Sequence, residues 1–107
     1  IEFYERLGMR LIVKDEHYAR FEFLKGNSTF SVHYTSEKKP SNTVIYFEVS
    51  DLVKTVSDLK EKGVKFTQNP KEEAWLWCES RLQDPSGNEI CIYAAGENRR
   101  NPPWRVT

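Results

Sequence analysis

The stretch TVIYFEVSDLVKTVSDLKEKG, residues 43–63, changes its apolar period in mid-course. Up to Val49 it alternates, with Ile45, Phe47 and Val49 on one face and Val44, Tyr46 and Glu48 on the other, the two-residue period of a strand. From Leu52 onward the apolar residues fall at Leu52, Val56 and Leu59, which predicts a helix over 52–62 with one buried stripe. Ser50 or Asp51 supplies the N-cap, and Gly63 stands just past the last turn. A strand that hands over to a helix in two residues is half of a supersecondary unit, and the flanking sequence supplies the rest.

Downstream, residues 64–67 read as a short strand and 68–73 as a loop. An aromatic-rich strand follows over 74–83, then the turn Asp84-Pro85-Ser86-Gly87-Asn88 and a returning strand over 89–93. Centring that hairpin on Ser86 pairs Leu82 with Ile90 and Ser80 with Ile92 on the core side. Arg81 then faces Cys91, and Glu79 faces Tyr93, on the opposite side. Cys78 and Cys91 point to opposite faces, which rules out a disulfide between them.

Upstream, residues 1–7 carry apolar side chains at 1, 3, 4 and 7 and stop at Gly8, a short amphipathic helix that begins as if in mid-helix. Strands are predicted over 9–13, 17–24 and 29–34, the last two joined by a two-residue turn at Gly26-Asn27. That turn sets Phe23 opposite Phe30, Phe21 opposite Val32 and Ala19 opposite Tyr34, with Glu22 facing Ser31 and Arg20 facing His33. Residues 36–42, polar and interrupted by Pro40, form a linker. The order is helix and three strands, linker, then strand, helix and three strands. Both halves are one unit, with the first strand of the first half absent from the chain. Helices opening each half and antiparallel strands after them make the class α+β. The predicted organisation is one domain: a first module over 1–35, the linker, a second module over 43–94 and a tail over 95–107.

Composition narrows the function classes. The 107 residues carry 16 Lys+Arg against 16 Asp+Glu, and 13% are aromatic. The aromatic content excludes a disordered segment. Zero net charge argues against a nucleic-acid partner, and no apolar run approaches the roughly 18 residues of a membrane span. Two cysteines make no disulfide scaffold, so a reducing, cytoplasmic location is expected.

Three short stretches now carry a resemblance: Phe3-Tyr4-Glu5-Arg6-Leu7-Gly8-Met9, Phe47-Glu48-Val49-Ser50-Asp51-Leu52 and Asp84-Pro85-Ser86-Gly87-Asn88-Glu89-Ile90. At these spacings, in two copies of one unit, the chain resembles the vicinal oxygen chelate superfamily of glyoxalases, bleomycin resistance proteins and extradiol dioxygenases. The resemblance covers residues 1 to about 94 and implies paired βαβββ modules curled around a concave cleft. It also implies a homodimer. Metal-dependent members hold one divalent ion with His or carboxylate side chains from four strands. The corresponding positions here are Val44, Cys91 and Ser31, the fourth lying on the absent strand. Valine binds no metal, serine is a poor ligand and cysteine prefers soft ions, so no metal site and no cofactor are expected.

Tyr46, Trp75, Trp77 and Tyr93 share the expected cleft face with Arg20, Glu22, His33, Glu79 and Arg81. Aromatic walls with a few fixed charges suit a planar or amphipathic small molecule, so these nine residues are the candidate ligand contacts. His33, opposite Arg20, is a candidate base or a donor to a bound anion. Cys91, opposite Arg81, is a candidate nucleophile if the guanidinium favours its thiolate. The expected function is metal-independent binding of a small molecule. The alternative is a metal-dependent lyase, isomerase or dioxygenase whose displaced ligands are His33, Glu22, Glu79 and Cys91. Trp104, after Pro102-Pro103, either covers the cleft mouth, docks on a second subunit or packs on its own sheet.

Overall fold

The computed structural model describes residues 1–37 and 42–107. The fold is α+β, as the periodicities predict, and it divides into two compact units, Ile1–Lys39 and Pro40–Thr107. Residues 38–41 of the expected linker lie outside the described residues.

The first unit consists of α1 (Glu2–Arg6), β1 (Arg10–Lys14), β2 (Tyr18–Glu22) and β3 (Thr29–His33), the strands forming an antiparallel sheet in the order β1-β2-β3. Tyr4 of α1 is buried, and its ring lies 5.9 Å from that of Phe21 and 5.0 Å from that of Phe30. Met9, Ala19 and Phe21 are buried in the same unit, Phe21 fully.

The register of the β2–β3 hairpin differs from the expected one by two residues. Phe21 faces Phe30, Ala19 faces Val32, Arg20 faces Ser31 and Tyr18 faces His33. The Phe23 N–H donates to the Ser28 carbonyl at 3.2 Å, so the connection spans Leu24 to Asn27 rather than Gly26-Asn27 alone. A shift of two leaves every side chain on its original face, so alternation could not detect it. It sets both phenylalanines beneath Tyr4.

The second unit holds β4 (Val44–Glu48), α2 (Leu52–Glu61), β5 (Gln68–Glu72), β6 (Cys78–Gln83) and β7 (Glu89–Ala94), with the sheet order β4-β7-β6-β5. β4 runs parallel to β7, which requires a crossover, and α2 supplies it. Asp51 is the N-cap: its carboxylate accepts the Lys54 backbone N–H at 3.1 Å. Leu52, Val56 and Leu59 are buried as their spacing predicts, and Gly63, at φ 85°, ends the helix in the left-handed region that glycine tolerates. Strands β1, β2 and β3 repeat the order of β5, β6 and β7. The first unit has no counterpart of β4 among the described residues.

The β6–β7 register agrees with the expected pairs: Leu82 with Ile90, Ser80 with Ile92, Arg81 with Cys91 and Glu79 with Tyr93. Two boundaries differ. The strand expected at 64–67 lies at 68–72, inside the expected loop, and it contains Pro70. β5 is the sheet edge and its pairing with β6 is irregular between Gln68 and Lys71, so a residue without an N–H is accommodated there. Val64 instead closes the helix, burying its side chain and donating its N–H to the Leu59 carbonyl at 3.0 Å. Similarly, β6 begins at Cys78 and not at 74. Residues 74–76 turn the chain, with the Leu76 N–H on the Glu73 carbonyl and Leu76 itself at φ 67°.

The β6–β7 turn is built around one carboxylate. Asp84, largely buried, accepts the backbone N–H groups of Ser86 and Asn88 and the side-chain amide of Asn88 at 2.7–2.9 Å. Replacement by alanine leaves these donors without that partner. Asp84→Ala is expected to cost about 2–3 kcal/mol, measured as the change in urea midpoint at constant m-value.

Candidate functional site

On the second unit, one face of the sheet carries Val44, Tyr46 and Glu48 from β4, Cys91 and Tyr93 from β7, and Glu79 and Arg81 from β6. The pairings Tyr46 with Cys91 and Glu48 with Tyr93 extend the β6–β7 register across three strands. Trp77 and Tyr93 are stacked, with ring centroids 4.3 Å apart and planes at 11°. Tyr46 stands edge-on to both, 5.9 Å from Tyr93 and 6.4 Å from Trp77. The Arg81 guanidinium lies over the Tyr46 ring at 5.6 Å, a distance at which the ring quadrupole attracts it.

Beneath these rings lies a buried polar pair. Glu79 is only 1% exposed, and its Oε1 accepts the Cys91 thiol at 3.2 Å and faces Arg81 Nη2 at 3.5 Å. The surroundings of Cys91 work against a thiolate. Burial, and then the hydrogen bond to Glu79, push the thiol up to about 12, far outweighing the opposing effect of Arg81. Cys91 stands inside the sheet as a hydrogen-bond donor to Glu79. Cys78 is also raised, first by burial, and both cysteines are free, in keeping with their opposite faces.

Trp75, expected on this face, occupies the 74–76 turn instead, and among the described residues it joins no ring of the group. The segment after β7 clasps the face at its edge. A 3₁₀ turn at Gly96–Arg99 brings the Asn98 carbonyl to Trp77 Nε1–H at 3.4 Å and Arg99 Nε to Glu48 at 3.1 Å. This first part of the tail therefore packs on its own sheet, whereas Trp104 is exposed.

On the first unit, the face away from Tyr4 carries Tyr18, Arg20, Glu22, Ser31 and His33. The shifted register removes His33 from Arg20 and sets it against Tyr18, whose ring centroid is 4.9 Å away. Arg20 Nε donates to the Tyr18 phenol at 2.7 Å, and the phenol shares a 2.7 Å hydrogen bond with Ser31. The Ser31 bond, and then that from Arg20, hold the Tyr18 phenol below its usual range. Glu22 is engaged by Arg10 at 3.1 Å. The expected register sets Tyr18 opposite Thr35, beyond the end of the predicted strand, and so hides its part in the group. The signal available was its i, i+2 spacing from Arg20.

The profile of the glyoxalase/bleomycin resistance protein/dioxygenase superfamily matches residues 1–92. The chain belongs to that superfamily. Solved structures share its fold at low identity. An enzyme of the family from Burkholderia phytofirmans PsJN superimposes with a TM-score of 0.71 at 19% identity, covering 88% of this chain and 86% of its own. A member from Nocardioides gives 0.75 at 20% identity, covering 99% and 79%. A bleomycin resistance determinant encoded on the transposon Tn5 gives 0.71 at 20% identity, covering 89% and 85%. None of the curated proteins compared matches the sequence.

The family's divalent metal does not fit the donors present. Val44 offers none, the Cys91 thiol is buried and bonded to Glu79, and the Ser31 hydroxyl is bonded to Tyr18. The alternative ligands are divided between the units, Glu22 and His33 in one and Glu79 and Cys91 in the other. Among the described residues no three His, Cys, Asp or Glu side chains converge.

The Cys91 proton has two measurable consequences. Thiol reagents at pH 8 are expected to leave Cys91 unmodified in the native chain and to label it in urea. Because its folded value lies above the unfolded value of 9.0, the associated stability is complete below pH 9 and is lost as pH rises toward 12. The fall in melting temperature across that window should be steeper in the wild type than in Cys91→Ala. Equal slopes would contradict the assignment.

Proposed function

We propose that this chain binds a small planar or amphipathic molecule, without a metal, against the aromatic face of its four-stranded sheet. The observation that carries the reading is the group of Tyr46, Trp77 and Tyr93 with Arg81 over Tyr46. Tyr93 and Trp77 are stacked into the sheet and act as a wall. Tyr46 is 48% exposed and offers a ring edge and face to a ligand. Arg81, partly exposed at 24%, keeps guanidinium hydrogens for a polar substituent while Glu79 balances its charge from below. Pockets for small molecules commonly join apolar walls to a few fixed polar groups in this way. The bleomycin resistance determinant among the structural relatives is compatible with a binding role, although likeness at this identity speaks for the fold alone. The unfavourable metal positions support the metal-independent form. A homodimer acting in the cytoplasm belongs to the same reading, and neither a nucleic acid nor a membrane is a partner in it. No helix among the described residues is long and apolar enough to cross a bilayer.

Two measurements test this. A screen of planar aromatic and amphipathic compounds against melting temperature should yield ligands that stabilise the chain by several degrees at saturating concentration. Tyr46→Ala, at an exposed position, should abolish that shift while leaving the unliganded melting temperature within a few degrees. Trp77→Ala should weaken binding tenfold or more and also lower stability, since it removes the stack on Tyr93. Ligands bound equally well by Tyr46→Ala would overturn the placement. Metal content and titration with Mn²⁺, Fe²⁺, Ni²⁺ and Zn²⁺ should give no stoichiometric ion and no stabilisation. About one metal per chain would overturn the metal-independent reading.

A further inference from the structure

The polar face of the first unit has a donor surplus that its own contacts do not use. Arg20 makes one hydrogen bond, from Nε to the Tyr18 phenol, and its guanidinium carbon lies 5.4 Å from that ring's centroid. Its two terminal nitrogens, four N–H donors in a fixed fork, meet no partner among the described residues. Tyr18 and Ser31 together carry two hydroxyl hydrogens, and the single bond between them at 2.7 Å consumes one, whichever residue donates. The other points out of the pair. His33 stands beside them against the Tyr18 ring, and its ring nitrogens likewise take no hydrogen bond among the described residues. Acceptors are scarce on this face. Glu22 is occupied by Arg10, and Asp15 accepts the backbone N–H of His17 at 2.9 Å.

We infer that Arg20, Tyr18, Ser31 and His33 form a binding site for an oxyanion, the carboxylate or phosphate group of a small ligand. An oxyanion is acceptor-only, so it complements a guanidinium fork flanked by a spare hydroxyl hydrogen and an imidazole that can donate. The Nε–phenol bond fixes the orientation of the fork before any ligand arrives, which lowers the ordering cost of binding. Two neighbouring strands supply all four side chains at alternate ladder positions on one face, Tyr18 opposite His33 and Arg20 opposite Ser31. The site stands on the first unit alone and does not depend on the aromatic face of the second.

The test is NMR titration of the 107-residue chain with inorganic phosphate and, separately, with acetate, at constant ionic strength maintained with sodium chloride. The chain has two histidines, so the His17 ring is an internal control. Saturable shifts of the His33 ring and the Arg20 Nε–H with either anion, and a still His17 ring, are expected. The anion that saturates at lower concentration identifies the headgroup. Arg20→Gln should weaken binding at least tenfold. Arg20→Lys, which keeps the charge but loses the fork and the phenol bond, should weaken it several-fold, as should Tyr18→Phe. Because these side chains lie on the polar face of the sheet, unchanged far-ultraviolet dichroism will separate lost binding from lost folding. Shifts linear in both anions, or equal saturation in Arg20→Gln, would overturn the site.

Discussion

Strand β7 is hydrogen-bonded along both edges and buried on both faces, and the second unit is arranged around that constraint. One edge pairs in parallel with β4 and the other antiparallel with β6. Ile90 and Ile92 are buried on one side, Cys91 and Tyr93 on the other. A strand in this position can carry almost no unpaired polar group. Cys91, on the site face, accordingly spends its thiol hydrogen on Glu79. The buried carboxylate is in turn tolerated because a thiol and a guanidinium face it.

The same constraint links the core to the site. Any change that moves β7 along β6 would separate Leu82 from Ile90 under α2, and at the same time Glu79 from Tyr93 under the rings. Asp84 guards against such a slip by gathering three donors of the turn into one carboxylate. The aromatic group is thus positioned by an alignment set at the far end of the hairpin. Trp77 lies just before β6 and depends on it directly. Its second fixing point, the Asn98 carbonyl, arrives from the other end of β7.

The two units solve the question of the exposed sheet face differently. In the second, rings cover a buried ion pair, so polar groups are hidden and aromatic surface is presented. In the first, a phenol, a hydroxyl and a guanidinium joined by short hydrogen bonds are left at the surface, with an imidazole against the phenol ring. The repeat of α–β–β–β order therefore fixes where side chains stand but not what they do there, as expected of a fold on which sites are grafted. At Ser31 and Cys91, where the metal-dependent relatives are expected to place ligands, both units instead form internal hydrogen bonds.

Several features followed from local sequence alone. The switch of period at residues 43–63 determined β4 and α2, and Asp51 and Gly63 determined the helix ends, because caps and amphipathic stripes are short-range. The β6–β7 register followed from a compact turn centred on Ser86. The β2–β3 register did not, since a slip of two preserves every face and only the packing of Phe21 and Phe30 under Tyr4 discriminates. Pro70 in a strand and Trp75 in a turn were equally illegible, because edge position and hairpin length belong to the sheet as a whole. The state of Cys91 was decided last and least locally. Sequence placed Arg81 across from it, but only the tertiary structure buried the thiol and brought Glu79 within 3.2 Å, and desolvation outweighs a neighbouring positive charge.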